Sequence, residues 1–299
     1  MLYHYTSVDV LNSIIRSAES EKGICFWATR FDCFTDKEEY KLGIAVIKRL
    51  LPRFEDQLRP DRRLASSFEW EDIYGNVTLP FPYIVSFTNR HDNAYMWEKY
   101  AGRDSGVVLG IDDSKNVTNE YTKNLFVKRC LYLGDKTDDD LYEEIKDEYL
   151  SSASNMLTGP NNNLAFAFLS TYPQLFVSLI GRYLLAYVAP RFKWNRYNPE
   201  EETRAILAPP RPEMKDIVDY YEDAAKAFGI NTEDVKRMTE NEMSRTRKNG
   251  QIVYYQELFL PGNLLKSVTV ANEELIEQVA GLVSDKGFKD VDVKAMKLL

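Results

Sequence analysis

Short runs rich in β-branched and aromatic side chains recur at both ends of this 299-residue chain, and they limit what it can fold into. "GICFWATR" (23–30), "YIVSF" (83–87), "GVVLGID" (106–112) and "LFVKRCLYL" (125–133) have the composition of strands. So do "TRAILAP" (203–209), "QIVYYQELFLP" (251–261), "LLKSVTV" (264–270) and a last run, "DVDVKAMKL" (290–298). From Asp135 to Phe192, and again over 212–248, the pattern turns helical. Strands therefore crowd the first 133 residues and the tail, with helical material set between them. That order predicts an α+β fold: one domain over 1–299, with helical insertions at about 140–190 and 212–248.

Helix signals fill the gaps. Val8, Leu11, Ile14 and Ile15 fall at helical spacing behind Thr6 or Ser7, either of which can cap a free backbone N–H. This predicts a helix to about Ser17. "FDCFTDKEEYKLGIAVIKRLL" (31–51) reads as a loop entering a helix, and the mixed-charge stretch after it (52–75) as a mobile connection. "NRHDNAYMWEKYAG" (89–102) reads as a capped helix ended by Gly102, and "EELIEQVAGLVSD" (273–285) as a helix closed by Gly287.

Composition excludes several functions. A net charge of −8 argues against a broadly basic nucleic-acid-binding protein, though not against a local basic groove. Cys25, Cys33 and Cys130 lack CxxC spacing, and His4 and His91 are the only histidines, so no zinc site is expected. The cysteines read as reduced packing residues of a cytoplasmic protein. Leu2–Ile15 lacks the basic n-region of a signal peptide. The most apolar stretch (164–190) is broken by Pro173, Gln174, Gly181 and Arg182, and is expected to be a buried helical hairpin rather than a membrane span.

Four groups of residues could carry chemistry. His4 stands where a strand meets a helix N-terminus, a place from which a ring nitrogen can reach a ligand hydroxyl while backbone amides face an anion. Asn93, Met96, Trp97 and Tyr100 share one helical face, which serves either as core or as a stacking wall for a flat heterocycle. Glu200 and Glu202, at the entry to a strand, alternate onto one side with Arg204, and paired carboxylates suit a cationic centre or a ribose diol. Asp36 and Glu39 sit at a helix start, where carboxylates meet the positive end of the helix dipole. A basic cluster of Arg237, Arg245, Arg247 and Lys248 could touch phosphate, with a solvated helix face as the plainer alternative.

In order along the chain, "LYHYTS" (2–7), "FWATRFDCFTDKEEY" (26–40), "VSFTNRHDNAYMWEKYAGRDSGVVLGID" (85–112) and "YNPEEETR" (197–204) resemble a bacterial and phage-associated family of domains of unknown function. That family's pattern is YHYTS, then WaT with NDxxE, then SFS with MWxxYA, then ExEWR. Thr35-Asp36 stands at its Asn-Asp and Thr203 at its Trp. The family in turn resembles the ADP-ribosyltransferase fold of the histidine–tyrosine–glutamate class, in which a Gly stands where this chain has Tyr5.

The resemblance implies split antiparallel β-sheets with helices, and an NAD-dependent ADP-ribosyltransferase acting on RNA, DNA or protein. A toxin or phage-defence effector with an antitoxin or chaperone partner, and no membrane association, would fit it. It implies that His4, Tyr5 and Thr6 meet the adenosine ribose and the nicotinamide amide. Ser86, Phe87, Trp97 and Tyr100 would flank nicotinamide. Glu202 would be the catalytic carboxylate, with Glu200 orienting or deprotonating the acceptor. The alternatives are an NAD glycohydrolase and a catalytically silent nucleotide- or nucleic-acid-binding module.

Overall fold

A computed structural model describes residues 1–36, 38–58, 82–102, 105–112, 125–147, 184–207, 243–247 and 249–296. The expected hairpin at 164–190 lies largely outside these residues, and so do the expected helices at 212–248 apart from 243–247.

The fold is a mostly antiparallel sheet covered by helices. In chain order its parts are β1 (Leu2–Ser7), α1 (Val8–Ile14), β2 (Ile24–Arg30), α2 (Glu38–Leu58) and β3 (Tyr83–Thr88). A short helix α3 (Ala94–Met96), widened through Trp97–Ala101, precedes β4 (Gly106–Ile111), β5 (Leu125–Arg129), β6 (Leu131–Leu133) and a helix α4 over 138–147. After a wide π-helical turn (Leu184–Val188) and a tight 3-10 turn (Ala189–Arg191) come β7 (Phe192–Trp194) and β8 (Glu202–Leu207). The tail supplies β9 (Met243–Thr246), β10 (Ile252–Leu260), β11 (Leu265–Val270), α5 (Ile276–Asp285) and β12 (Asp292–Ala295).

The strand order is β12-β11-β4-β1-β3-β2-β10-β9, with β8 beside β3 and β5 beside β8. Apart from the parallel β11–β12 pair, every pairing in this sheet is antiparallel. The sheet divides at β3. One edge of β3 pairs with β8 along its whole length, from Tyr83↔Leu207 to Thr88↔Glu202. The other edge is shared: Thr88 pairs with Tyr3 of β1, while Ile84 and Tyr83 pair with Thr29 and Arg30 of β2. β1 and β2 thus part company along β3, and Ser86 lies in the parting.

Alternation along β3 and β8 gives each strand two buried faces. Val85, Phe87 and Ala205 point into the core under α1 and α5, with Leu11, Val279 and Val283. Ile84 and Ile206 point into a second core under α2. There Val46, Ile47, Leu50, Leu51 and Phe54 form the apolar stripe of one helix face. Close approach fixes α2: a Cβ on Gly43 would lie 2.0 Å from the Ala189 carbonyl oxygen, so only glycine admits this contact.

Several boundaries differ from expectation. α1 stops at Ile14, short of Ser17, with Ser7 rather than Thr6 accepting from the Val10 N–H at 3.4 Å. α2 continues past Pro52 to Leu58, through the start of the stretch expected to be a mobile connection. The run 125–133 is two strands, broken at Cys130, whose N–H still donates to the Glu202 carbonyl at 2.9 Å, in register with β8, before β6 leaves to pair with β7. Met243–Thr246, expected to be helical, is a strand because β10 offers it an antiparallel edge. Phe192–Trp194, expected at the end of a helical stretch, pairs in parallel with β6 instead.

Candidate active site

His4 occupies the parting of the sheet. Its Nδ1 lies 3.0 Å from the Ser86 carbonyl oxygen, the β3 acceptor that neither β1 nor β2 reaches. A carbonyl only accepts, so Nδ1 carries the hydrogen and Nε2 of the neutral ring is left with its lone pair. Phe26 and Phe87 pack edge-on against the imidazole at 5.0 and 5.7 Å, holding its plane. Burial lowers the His4 pKa and outweighs the opposing pull of the Ser86 carbonyl, so the ring is neutral at pH 7. Neutral His4 can therefore accept a hydrogen bond from a hydroxyl.

Tyr5 points to the other side of β1. Its hydroxyl donates to the Arg90 carbonyl at 2.8 Å and accepts from the Asn93 N–H at 3.1 Å, and its ring meets Trp97 edge-on at 5.5 Å. Burial pushes the phenol up to about 12, so it stays a donor. Tyr5 thereby ties the first strand to the loop that launches α3. Asn93 caps α3, accepting from the Met96 N–H at 3.2 Å, and Gly102 ends it at φ 75°, a left-handed conformation that favours glycine.

The carboxylates lie on the far side of Ser86. Lys193 places its Nζ 2.5 Å from Glu200 Oε2 and 2.5 Å from Glu202 Oε2. Glu200 also accepts from Lys99 at 2.6 Å and from the Tyr100 hydroxyl at 2.9 Å. Glu202 accepts from Arg204 Nε at 3.0 Å and Nη2 at 3.2 Å, and Arg204 reaches on to Glu39 and the Pro190 carbonyl. Glu39, Glu200, Glu202, Lys193 and Arg204 are each at most about 5% exposed. Three carboxylates thus face Lys99, Lys193 and Arg204, and each buried charge has the partner that burial demands.

Electrostatics follow from that balance. Burial alone would raise the Glu202 pKa, but the Arg204 and Lys193 charges beside it overcome burial and hold the carboxyl well below its ordinary value. Burial would lower Lys193, yet Glu202 and Glu39 raise it above the usual ammonium range. Burial and the neighbouring Glu200 raise Tyr100, which stays protonated and donates. Glu202 is therefore a fixed negative charge, suited to stabilising a cation and not to giving up a proton.

His4, Ser86, Tyr100, Glu200 and Glu202 all line one cleft of about 930 Å³. So do Tyr5, Asp36, Glu39, Lys99, Lys193 and Tyr197. Phe87 and Trp97, expected to flank a flat ring, lie elsewhere. Phe87 is 2% exposed in the core beside His4, and Trp97 is 5% exposed against Tyr5 and Val108, with its indole N–H on the His91 carbonyl. Thr6 is buried and outside the cleft lining. Tyr100 is 46% exposed, with the Lys99 ammonium 5.0 Å over its ring.

Glu200 and Glu202 do meet, but not by strand alternation. Glu200 ends a tight turn (Asn195–Glu200), Glu201 takes a left-handed conformation at φ 44°, and Glu202 opens β8. The turn brings both carboxylates onto Lys193, while Glu201 faces solvent on Arg90 at 3.0 Å. Glu39 is an ion-pair partner of Arg204 rather than a helix cap. Asp36 keeps a capping bond from the Glu38 N–H at 3.0 Å and adds one from the Tyr197 hydroxyl at 2.8 Å. Lys193 and Tyr132, whose hydroxyl accepts from the Glu202 N–H at 2.7 Å, carry no sequence signal beyond residue type.

The family model described as a protein of unknown function, DUF2971, matches residues 96–205. That span holds Tyr100, Lys193, Glu200, Glu202 and Arg204, and begins after His4. No curated protein and no solved structure matches the chain significantly. Among the described residues, no group of three or more His, Cys, Asp or Glu side chains could hold a metal ion, and no helix is long and apolar enough to cross a membrane. Cys25, Cys33 and Cys130 are buried and unpaired with one another.

Proposed function

We propose that the chain is an ADP-ribosyltransferase that uses NAD as its donor and modifies a macromolecule. The observation that carries this reading is the placement of neutral His4 and ionised Glu202 in one cleft, on either side of the Ser86 segment where the sheet parts. The cleft volume, about 930 Å³, suits a dinucleotide-sized ligand. NAD would supply an electrophilic ribose carbon and a leaving nicotinamide.

The protein's own groups then have defined tasks. His4 Nε2 accepts from a ribose hydroxyl, its ring held by the Ser86 carbonyl. Tyr100 offers a part-exposed aromatic ring within the cleft. Glu202 accepts from the hydroxyl next to the reacting carbon and stabilises the positive charge that develops there, a preorganised electrostatic task. Lys193 and Arg204 keep that carboxylate ionised and fixed. Glu200 stands beside it to orient or deprotonate the acceptor. Expected in solution is release of nicotinamide and transfer of label from NAD, both reduced about 100- to 1,000-fold by Glu202→Gln.

A catalytically silent nucleotide-binding module is the second reading, favoured by one fact: both Glu202 oxygens already carry cationic partners. Tight NAD binding with no nicotinamide release by the wild type would select it. Nicotinamide release with no labelled macromolecule would instead select NAD hydrolysis.

A further inference from the structure

The same cleft continues past His4 onto the face of β2, β10 and β9, where none of the groups given a task above lies. Trp27 on β2 sits across from Glu257, and Thr29 from Tyr255, while Val253 on β10 sits across from Arg245 on β9. Alternation puts Trp27, Tyr255 and Arg245 on one face. Phe26 and Ala28 are core residues, but Trp27 is 41% exposed. Its ring lies 4.8 Å from that of Tyr255 at 32°, and the Arg245 guanidinium stands over Trp27 at 5.1 Å. Arg247, also on the cleft, is held at its backbone and side chain by Gln251.

The two arginines differ from most of their kind in this chain. Arg16, Arg30, Arg90, Arg196 and Arg204 each have a carboxylate partner. Among the described residues Arg245 and Arg247 have none. Glu257, which stands across from Trp27, is taken up by Arg16 at 2.6 Å. Among the described residues, a chain of net charge −8 thus sets two guanidiniums without a carboxylate partner beside a part-exposed indole.

We propose that this Trp27–Arg245–Arg247 platform receives a single-stranded nucleic acid, one base stacking on Trp27 and the backbone phosphates meeting the two arginines. An exposed aromatic ring bordered by cations is what an unpaired base and a phosphate backbone require. A small ligand is usually enclosed by its pocket, whereas this platform stands at an open rim, as a polymer leaving the cleft requires. β2 lies two strand positions from β8, and β9 lies four, so the platform is set off from Glu202 by about 10 to 19 Å perpendicular to the strands. A strand seated here passes along the cleft to the carboxylates. The proposal names the acceptor for the transferase reading and rests on that reading for its purpose, though not for its test.

The test is fluorescence anisotropy of labelled 12-nucleotide RNA and DNA strands, single and duplex, with the full chain and no NAD. Single strands of one or both sugars bind, and the duplexes bind more weakly. Trp27→Ala weakens single-strand binding about 5- to 100-fold and Trp27→Tyr restores most of it. The surface pair Arg245→Gln and Arg247→Gln, which leaves the core untouched, lowers the log–log salt slope by about 0.7 for each arginine removed. The proposal is overturned if the wild type binds no single strand, or if neither set of variants changes its binding. It is equally overturned if ADP displaces the strand from the wild type but not from Trp27→Ala, which would assign the platform to the dinucleotide. Absence of NAD turnover alongside Trp27-dependent strand binding would sink the transferase reading alone.

Discussion

The Lys193 ammonium stands 2.5 Å from a carboxylate oxygen of Glu200 and 2.5 Å from one of Glu202, bridging two buried acids that would otherwise repel. The bridge decides the charge state of the whole site. With Lys193 in place Glu202 is ionised, and Arg204 and Glu39 close the network behind it.

Lys193→Met removes the bridge and leaves Glu200 to Lys99 and Glu202 to Arg204, with nothing between the two acids. Breaking a buried pair from one side costs about 3–5 kcal/mol. The expected outcome in thermal or urea unfolding is a large loss of stability that shrinks toward acid pH, where one of the acids takes up a proton. A variant as stable as the wild type at pH 7 would mean that the bridge is not formed in solution.

Glu202 also sets a pH dependence of its own. Its folded pKa is depressed below the ordinary 4.5, so its contribution to stability is complete above that value. It is lost as pH falls from there through the folded pKa. Urea unfolding of wild type and Glu202→Gln should therefore differ most at neutral pH, with the gap narrowing below about pH 4.5. A constant gap from pH 7 to pH 3 would contradict the ion pairing.

The His4 pKa is also lowered, which for a base favours the neutral form. Its pKa is lowered from 6.5, so the folded ring remains neutral where an exposed histidine takes up a proton. With only two histidines in the chain, imidazole nitrogen resonances can be assigned by His91→Asn. His4 should show the Nδ1–H tautomer and begin to titrate only below pH 6.5. The opposite tautomer would mean that the Ser86 contact is absent.

Gly43→Ala forces a methyl group toward the Ala189 carbonyl, on the turn whose Pro190 carbonyl binds Arg204. Overpacking of this kind costs about 1–3 kcal/mol. Calorimetry should show a lowered Tm, whereas Gly281→Ala, at a position open to space, should be neutral or stabilising.

The strands of the sheet were legible in sequence because β-branched and aromatic runs such as "YIVSF" and "GVVLGID" suit a buried pleated surface. The short β7 and β9 were not, since each is defined by the partner edge it meets and not by its own composition. His4, Glu200 and Glu202 could be singled out as chemistry-bearing types at telling places. Phe87 and Trp97 could not be separated from core, because strand alternation and helical spacing look the same for a buried ring and a ligand-facing one. Lys193, distant from Glu39 in sequence, joins the site only through the packing of α2 against the 189–194 segment. That packing depends on a glycine contact no local pattern announces.

The most direct measurement is nicotinamide release and label transfer from NAD, with cellular RNA, DNA and protein present, comparing wild type, Glu202→Gln and His4→Ala. The account predicts nicotinamide release by the wild type with label on a macromolecule. It predicts loss of about 100-fold or more in Glu202→Gln at unchanged fold, and a clear loss in His4→Ala. No release and no transfer by a folded wild type, or full activity in Glu202→Gln, would contradict it.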